Sequence, residues 1–341
     1  MVPGSLPPVV LYHYEASPIA RKVRNILAVK RIPHVRVEMP MTLPRPDLAD
    51  RLGITYRRIP VLAIGRDVYC DSSLIASVLE RRFPASDGFG TLFPKRKGSD
   101  RTDAAIIKQY TMSYADRVLG TVASFLLPYH KFKPEFLADR TAWFGQKLDP
   151  SAMQARQPLG KSWLSSHLAL LEEQFADGRE WLFDTETPSL ADLSVHYVWE
   201  WLASFKPMQP AAKELLDATV FPATVSWISR MTEHTVKAHT AHKFSIQTVS
   251  GERAAEIITS SAFEDLSGIG FDETEGTRLG VQLSQLVSVT PDDNGKVPTV
   301  GRLLALNKEQ VVIETEGSAG TVRCHFPRIY YVVQPAASAK L

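Results

Sequence analysis

Residues 57–75 read Arg57-Arg58-Ile59-Pro60-Val61-Leu62-Ala63-Ile64-Gly65-Arg66-Asp67-Val68-Tyr69-Cys70-Asp71-Ser72-Ser73-Leu74-Ile75. Pro60 opens an apolar run, and a proline cannot donate to a sheet ladder, so it belongs at the first position of a strand. Gly65-Arg66-Asp67 is a tight turn and Val68–Cys70 the returning strand. Asp71-Ser72 then cap a helix that runs to about Phe83. Upstream, residues 9–14 (VVLYHY) predict a buried strand. Ser17 is a good N-cap, and Pro18 suits the first helical position, where its missing N–H costs nothing. The helix predicted from 18 to about 31 has Val23, Ile26, Leu27 and the stem of Lys30 on its apolar face, with Arg21, Lys22, Arg24 and Arg31 off it. His34–Met39 predicts a second strand, Pro40–Pro46 a proline-rich loop, and Pro46-Asp47 the start of a short helix.

The resulting order, β-α-β-(α)-β-β-α, is the thioredoxin-like arrangement, and it fills residues 1–88. Residues 84–99 hold Pro84, Gly88, Gly90, Pro94 and Gly98 and read as a linker. Helical patterns dominate 100–245, over 100–127, 135–148, 158–176, 189–205, 209–217 and 222–238. Ser189-Leu190-Ala191-Asp192 is the clearest start, a capping box with Asp in place of the usual Glu or Gln. Residues 246–341 form a C-terminal extension. It begins with a helix over Ser250–Ser260 and continues as β-rich sequence over 279–333, read as a small antiparallel sheet or half-barrel attached to the helical domain.

Composition narrows the function classes. The chain has 341 residues, 44% hydrophobic and 22% charged, enough for two or three domains with sizeable cores. Two cysteines, Cys70 and Cys324, exclude a disulfide framework and a cysteine-built metal site, and they fit a reducing compartment. No apolar run reaches the roughly 18 residues of a membrane helix, and the N-terminus lacks a basic start followed by an apolar core, so neither membrane span nor signal peptide is expected. A cytoplasmic protein is the expectation. Residues 1–101 carry 17 Lys/Arg against 9 Asp/Glu, and the remainder 22 against 28, so the first domain favours an anionic partner. The β-rich tail is near neutral without a basic aromatic stripe, which argues against nucleic acid.

Three places in the first domain suggest chemistry. Ser17 sits where a helix N-terminus offers free N–H groups and partial positive charge, which stabilise a thiolate. Ile59–Pro60, if cis, turns the backbone of Ile59 or Val61 outward to meet an extended ligand, although few X–Pro bonds are cis. Asp71-Ser72 opens a helix with a carboxylate and a hydroxyl together, suiting the ammonium and carboxylate of an α-amino acid. Each is also an ordinary cap or strand start.

Together these segments resemble the glutathione transferase superfamily over residues 8–240. Ser17-Pro18 through Lys22-Val23 is similar to its serine-type catalytic loop, Ile59-Pro60-Val61-Leu62 to its cis-proline motif, and Asp71-Ser72-Ser73-Leu74-Ile75 to its γ-glutamyl motif. Ser189-Leu190-Ala191-Asp192 is similar to the cap of its core helix, and Phe221-Pro222 with Trp227-Ile228-Ser229-Arg230-Met231 to its penultimate helix. The resemblance implies glutathione as co-substrate. Ser17 would hold its sulfur as thiolate, Val61 at the Pro60 motif would pair with the cysteinyl backbone, Asp71 and Ser72 would hold the γ-glutamyl group, and Arg58 would help with the glycyl carboxylate. Tyr12 and Tyr14 compete for the role of Ser17, since other classes use a tyrosine from the first strand, and strand alternation turns one of them into the core. A small hydrophobic electrophile would bind between the domains against Tyr110, Tyr114 and Arg117, which share a helix face with Ser113. Ser rather than Cys at position 17 argues against thiol transfer through a protein disulfide. The whole chain resembles a fungal group of such proteins with a long C-terminal extension, associated with detoxification and secondary metabolite biosynthesis. The resemblance further implies a homodimer. A non-catalytic binding or scaffold protein, and a glutathione-dependent isomerase or lyase, are the alternatives.

Overall fold

The computed structural model describes residues 6–241 and 246–336. Strand β1 (Val9–His13) is buried along its whole length. It pairs parallel with β2 (Val35–Glu38) and antiparallel with β3 (Val61–Ile64). β3 turns back into β4 (Asp67–Cys70) through Gly65, whose φ of 62° suits a residue without a Cβ. Helix α1 (Pro18–Val29) starts where Ser17 Oγ accepts the Ala20 N–H at 3.2 Å. Helix α3 (Ser72–Arg82) starts where Asp71 accepts the Ser73 N–H at 2.9 Å. Both helices pack on one side of the sheet, burying Val23, Ile26, Leu27, Leu74, Ile75 and Leu79. Helix α2 (Pro46–Leu52) lies on the other side, with Leu48 and Leu52 in a separate core. This is the thioredoxin-like domain.

Periodicity puts Lys22 and Arg24 outside the apolar face of α1, but both are buried. The reason is tertiary: helices cover that side too, Lys22 meets Asp116 on one of them, and Arg24 meets Glu15 in the loop before α1. Those helices are α4 (Ala104–Tyr110), a π-helical segment (Thr111–Leu119) and α5 (Gly120–Ser124), which run on as one rod, then α6 (Pro134–Phe144), α7 (Pro150–Ala155), α8 (Gln157–Phe175), α9 (Leu190–Ser204), α10 (Gln209–Leu215) and α11 (Pro222–Ala241). α9 is the hub, with Leu193, Val195, Tyr197, Val198 and Trp199 buried around its circumference. Its capping box forms with Asp192, whose carboxylate accepts Ser189 N–H at 2.9 Å, Leu182 N–H at 2.9 Å and Trp227 Nε1–H at 3.1 Å. The shorter Asp serves because it reaches the cap backbone and two further donors at once.

The tail corrects the expectation of a module attached to the helical domain. It wraps the thioredoxin-like sheet instead. Gln247 and Val249 bond to both backbone groups of Arg36, beside the free edge of β2. α12 (Gly251–Thr259) then crosses the outer face against α2. A short helix the sequence reading missed, α13 (Glu273–Leu279), is capped by Asp272. β5 (Leu286–Pro291), β6 (Thr299–Leu306), β7 (Gln310–Gly317), β8 (Gly320–Pro327) and β9 (Tyr331–Pro335) follow. β8 lies parallel to β4, with Tyr69 opposite His325, giving one nine-stranded sheet of order β2-β1-β3-β4-β8-β7-β6-β5-β9. The physical cause is the edge of β4, whose unpaired backbone groups are satisfied by a strand of matching pattern. Val322, Cys324 and Phe326 of β8 join Val68 and Cys70 in the core beneath α2 and α12.

Candidate functional site

Register brings the predicted segments to one place. Tyr12, Val61 and Cys70 stand side by side in β1, β3 and β4. The loop leading to Ser17, the Ile59–Pro60 step and the Asp71–Ser72 cap therefore all leave the sheet at the same end. The Ile59–Pro60 bond is cis.

Ser17 accepts from Ala20 N–H, while its own N–H donates to Tyr14 O at 3.0 Å. Its hydroxyl proton goes to no protein acceptor among the described residues, so it can be donated to an anion at the N-terminus of α1. Val61 does not suit the backbone role expected of it, because it is paired within the sheet to Tyr12 on one side and Cys70 on the other. Ile59, just before the cis bond, has the geometry: its N–H and C=O make no backbone hydrogen bond among the described residues. Pro60 itself is buried.

Asp71 has φ 77° and ψ 133°, an unusual conformation for a residue with a side chain, of the kind that clusters at functional sites. One carboxylate oxygen accepts from Ser73 N–H and from Ser73 Oγ at 2.7 Å, and the other from the Tyr331 hydroxyl at 3.0 Å. Ser72 is buried and its Oγ lies 3.4 Å from Asp116 Oδ2. Asp116, on the π segment, accepts both hydrogen bonds of the fully buried Lys22 ammonium, at 2.7 and 2.8 Å. Burial pushes the Asp116 carboxyl up from its ordinary range, and Lys22 opposes that rise. Lys22 entered the sequence reading only as the lysine of the serine-loop motif, without a role, and Asp116 did not enter it. A lysine five residues after the capping serine was the available signal for Lys22.

Arg58 donates to the Asp293 carboxylate and to Asn294 O at 2.6 Å, and its guanidinium lies 5.3 Å over the Trp143 ring. Burial works against the Arg58 charge, but Tyr56, Tyr331 and the Asp293 carboxylate together outweigh it and hold the guanidinium above its ordinary value. Arg57 donates to Asp139 Oδ1 at 2.9 Å.

The expected pocket tyrosines are redistributed. Tyr12 is the one that points into the core; it is fully buried beneath α2, and burial pushes its hydroxyl up. That removes it from any ligand. Tyr14 is half-buried with Arg45 over its ring. Tyr110 and Tyr114 stack on each other and turn toward Phe183 and His167, into the helical core. Ser113 and Arg117 face the tail instead: Ser113 Oγ lies 2.9 Å from the Tyr330 hydroxyl, and Arg117 donates to Asp292 at 2.6 Å with its guanidinium 3.4 Å over the Tyr330 ring. The expected shared face fails because 111–119 is π-helical, and the wider turn separates residues that an α-helix would stack. A cavity of about 660 Å3 opens elsewhere, between α8 and α10, beside Gln157, Lys161, Ser162, Glu214 and Phe221. None of the predicted residues lines it, and it holds no constellation comparable to the loop site.

Residues 11–87 match the family model of the glutathione S-transferase N-terminal domain, and residues 123–240 match a domain of unknown function, DUF7962. No curated protein matches the chain. Among solved structures, a GST-like protein from Pseudomonas syringae is similar at 24% identity and a TM-score of 0.69, covering 97% of this chain and 100% of its own. Poplar glutathione transferase F1 is similar at 16% identity and a TM-score of 0.50, covering 69% of this chain and 98% of its own. A rice GST in complex with glutathione is 19% identical with a TM-score of 0.49, covering 75% of this chain and 96% of its own. The fold is thus that of the glutathione transferases: a thioredoxin-like domain, a helical region and, here, a β-rich extension that the bacterial likeness spans. No helix among the described residues is long and apolar enough to cross a membrane.

Proposed function

We propose that this chain is a glutathione transferase that binds glutathione across the ends of β1, β3 and β4 and adds its thiolate to a small hydrophobic electrophile. The observation that carries the reading is the convergence of a helix-capping serine with a free hydroxyl proton, an unpaired Ile59 backbone before a cis proline, and an Asp71 held at φ 77°. Ser17 donates to the sulfur, which lowers the thiol pKa, and the N-terminus of α1 adds partial positive charge. Ile59 pairs with the cysteinyl backbone. Asp71 takes the γ-glutamyl ammonium, and Ser72 with the first N–H groups of α3 takes its carboxylate. The thiol proton leaves to solvent, the sulfur lone pair forms the C–S bond as an epoxide C–O bond or an enone C=C π bond opens, and the resulting anion takes a proton from solvent. Isomerisation or elimination through the same thiolate uses the same groups.

A second reading, a glutathione-transferase-like protein without turnover, draws on one observation: Asp71 and Arg58 are already engaged by Tyr331 and Asp293. Titration calorimetry with reduced glutathione separates the two. Wild type should bind and Asp71→Asn should not. Ser17→Ala should still bind, but with the thiol pKa of the bound peptide raised and conjugation slowed about a hundredfold, as for loss of one anion-stabilising donor. An unchanged rate in Ser17→Ala removes its assigned role.

A further inference from the structure

The loop between β5 and β6, residues 292–298, lies against Arg58 at the edge of this site and is fastened from three directions. Asp293 and Asn294 O hold Arg58. Asp292 receives Arg117 and donates its N–H to Tyr330 O at 3.1 Å. Gly295 N–H donates to Trp143 O at 2.8 Å on α6. Thioredoxin-like domain, helical region and tail are thus joined by one short loop. Its ties are polar apart from Gly295, which is buried against the Trp143 ring, and Asp292, Asp293, Lys296 and Pro298 are exposed, so lifting it breaks these contacts without unpacking a core. Tyr331 differs. It is buried, linked to the Tyr56 hydroxyl at 2.8 Å, and holds Asp71 from a fixed position in β9.

Two charges decide what the loop excludes. Arg58 is the cation that a terminal carboxylate of an extended ligand would meet, and Asp293 already presents a carboxylate to it. A ligand with an anionic end must displace Asp293, and its apparent affinity falls with the fraction of molecules in which the loop is lifted. We propose that loop 292–298 is a competitive lid over the glutathione site, with Asp293 standing on Arg58 in the place of the peptide's glycyl carboxylate. The proposal rests on the glutathione reading above. It makes the C-terminal extension a determinant of what the site admits rather than a remote appendage.

Two substitutions open the lid by different means. Asp293→Asn removes the competing charge. Gly295→Ala adds a Cβ that would lie 2.6 Å from the Trp143 ring at a position whose φ is +63°, so the loop or the ring must shift and the loop's seat on α6 is weakened. Titration calorimetry compares wild type, Asp293→Asn, Gly295→Ala and Asp71→Asn with reduced glutathione and with its glycyl monoethyl ester. Both lid variants should bind glutathione up to about fivefold tighter than wild type, the gain expected when a part-exposed charged latch is released. Asp293→Asn should leave affinity for the ester nearly unchanged, because the ester lacks the carboxylate that competes. Circular dichroism melts report whether each variant is folded. If wild type binds, Asp71→Asn does not, and neither lid variant tightens binding, the lid is overturned while the glutathione reading stands. If wild type and both lid variants ignore glutathione at millimolar concentration, the glutathione reading falls and takes the lid with it.

Discussion

Lys22 is the residue whose environment is hardest to tolerate and therefore most informative. Its side chain is fully buried, and Asp116 supplies the charge that makes this bearable. Removing one partner of such a pair strands the other. Lys22→Met should cost about 3 to 5 kcal/mol of stability, whereas Lys22→Met with Asp116→Leu should recover most of it. Chemical denaturation of the two variants measures this, and equal loss in single and double variants would show that the pair is not the source. Ser17, Pro60, Asp71 and Ser72 were legible in the sequence because each announces itself locally, as a helix cap or a strand-opening proline. Lys22 was not, because its partner lies 94 residues away on another helix. Ile59 and Val61 were not separable in the sequence, because sequence does not say which residue of a proline motif the sheet consumes; strand pairing on both sides of Val61 does.

At the scale of elements, period and caps placed α1, α3, β3, β4 and α9 from the sequence alone, since a buried stripe and a capping side chain are local signals. The kind of helix was not legible. Hydrogen bonding over 111–119 shifts to a π pattern with no mark in composition, and this moved Tyr110 and Tyr114 off the face that carries Ser113 and Arg117. α9 exposes a further property. His196, near its middle, is fully buried, with Nε2 2.9 Å from Thr232 Oγ1, and burial holds its pKa down to about 4. Glu200, 3.9 Å from Nδ1, is also engaged by Arg21 at 3.2 Å. The unfolded chain protonates this imidazole near pH 6.5 and the folded chain does not, so stability is lost as pH falls from about 6.5 toward 4. The loss amounts to about 3 kcal/mol for this group. His196→Gln keeps a partner for Thr232 and cannot titrate, so its melting temperature should fall less steeply over that interval. Parallel curves for variant and wild type would assign the acid sensitivity elsewhere.

For the whole molecule, the decisive fact is that the extension has no core of its own. Val10, Tyr12, Val37, Val61, Ala63 and Val68 of the thioredoxin-like sheet share one apolar cluster with Ala254, Ile258, Val287, Leu303, Ile313, Val322 and Phe326 of the tail. Polar contacts run through the same boundary. Asp67 of β4 meets His325 Nε2 at 2.9 Å with both side chains buried, and Arg66 donates to Thr321 O at 2.7 Å. Cys70 and Cys324, both free, touch there with their sulfurs 3.6 Å apart. The sequence showed a composition shift near 246 and so marked a boundary, but a boundary in composition is not one in packing, and only the pairing of β4 with β8 reveals the difference. A chain cut after residue 245 should therefore not behave as a smaller version of the same protein. It would uncover the edge of β4 and most of one sheet face, an apolar surface prone to association. The full chain should melt in a single transition, and the shortened chain should aggregate or lose cooperative unfolding, read by calorimetry and size-exclusion chromatography. A soluble 1–245 fragment melting at the full chain's temperature would show instead that the two halves of the sheet stand independently.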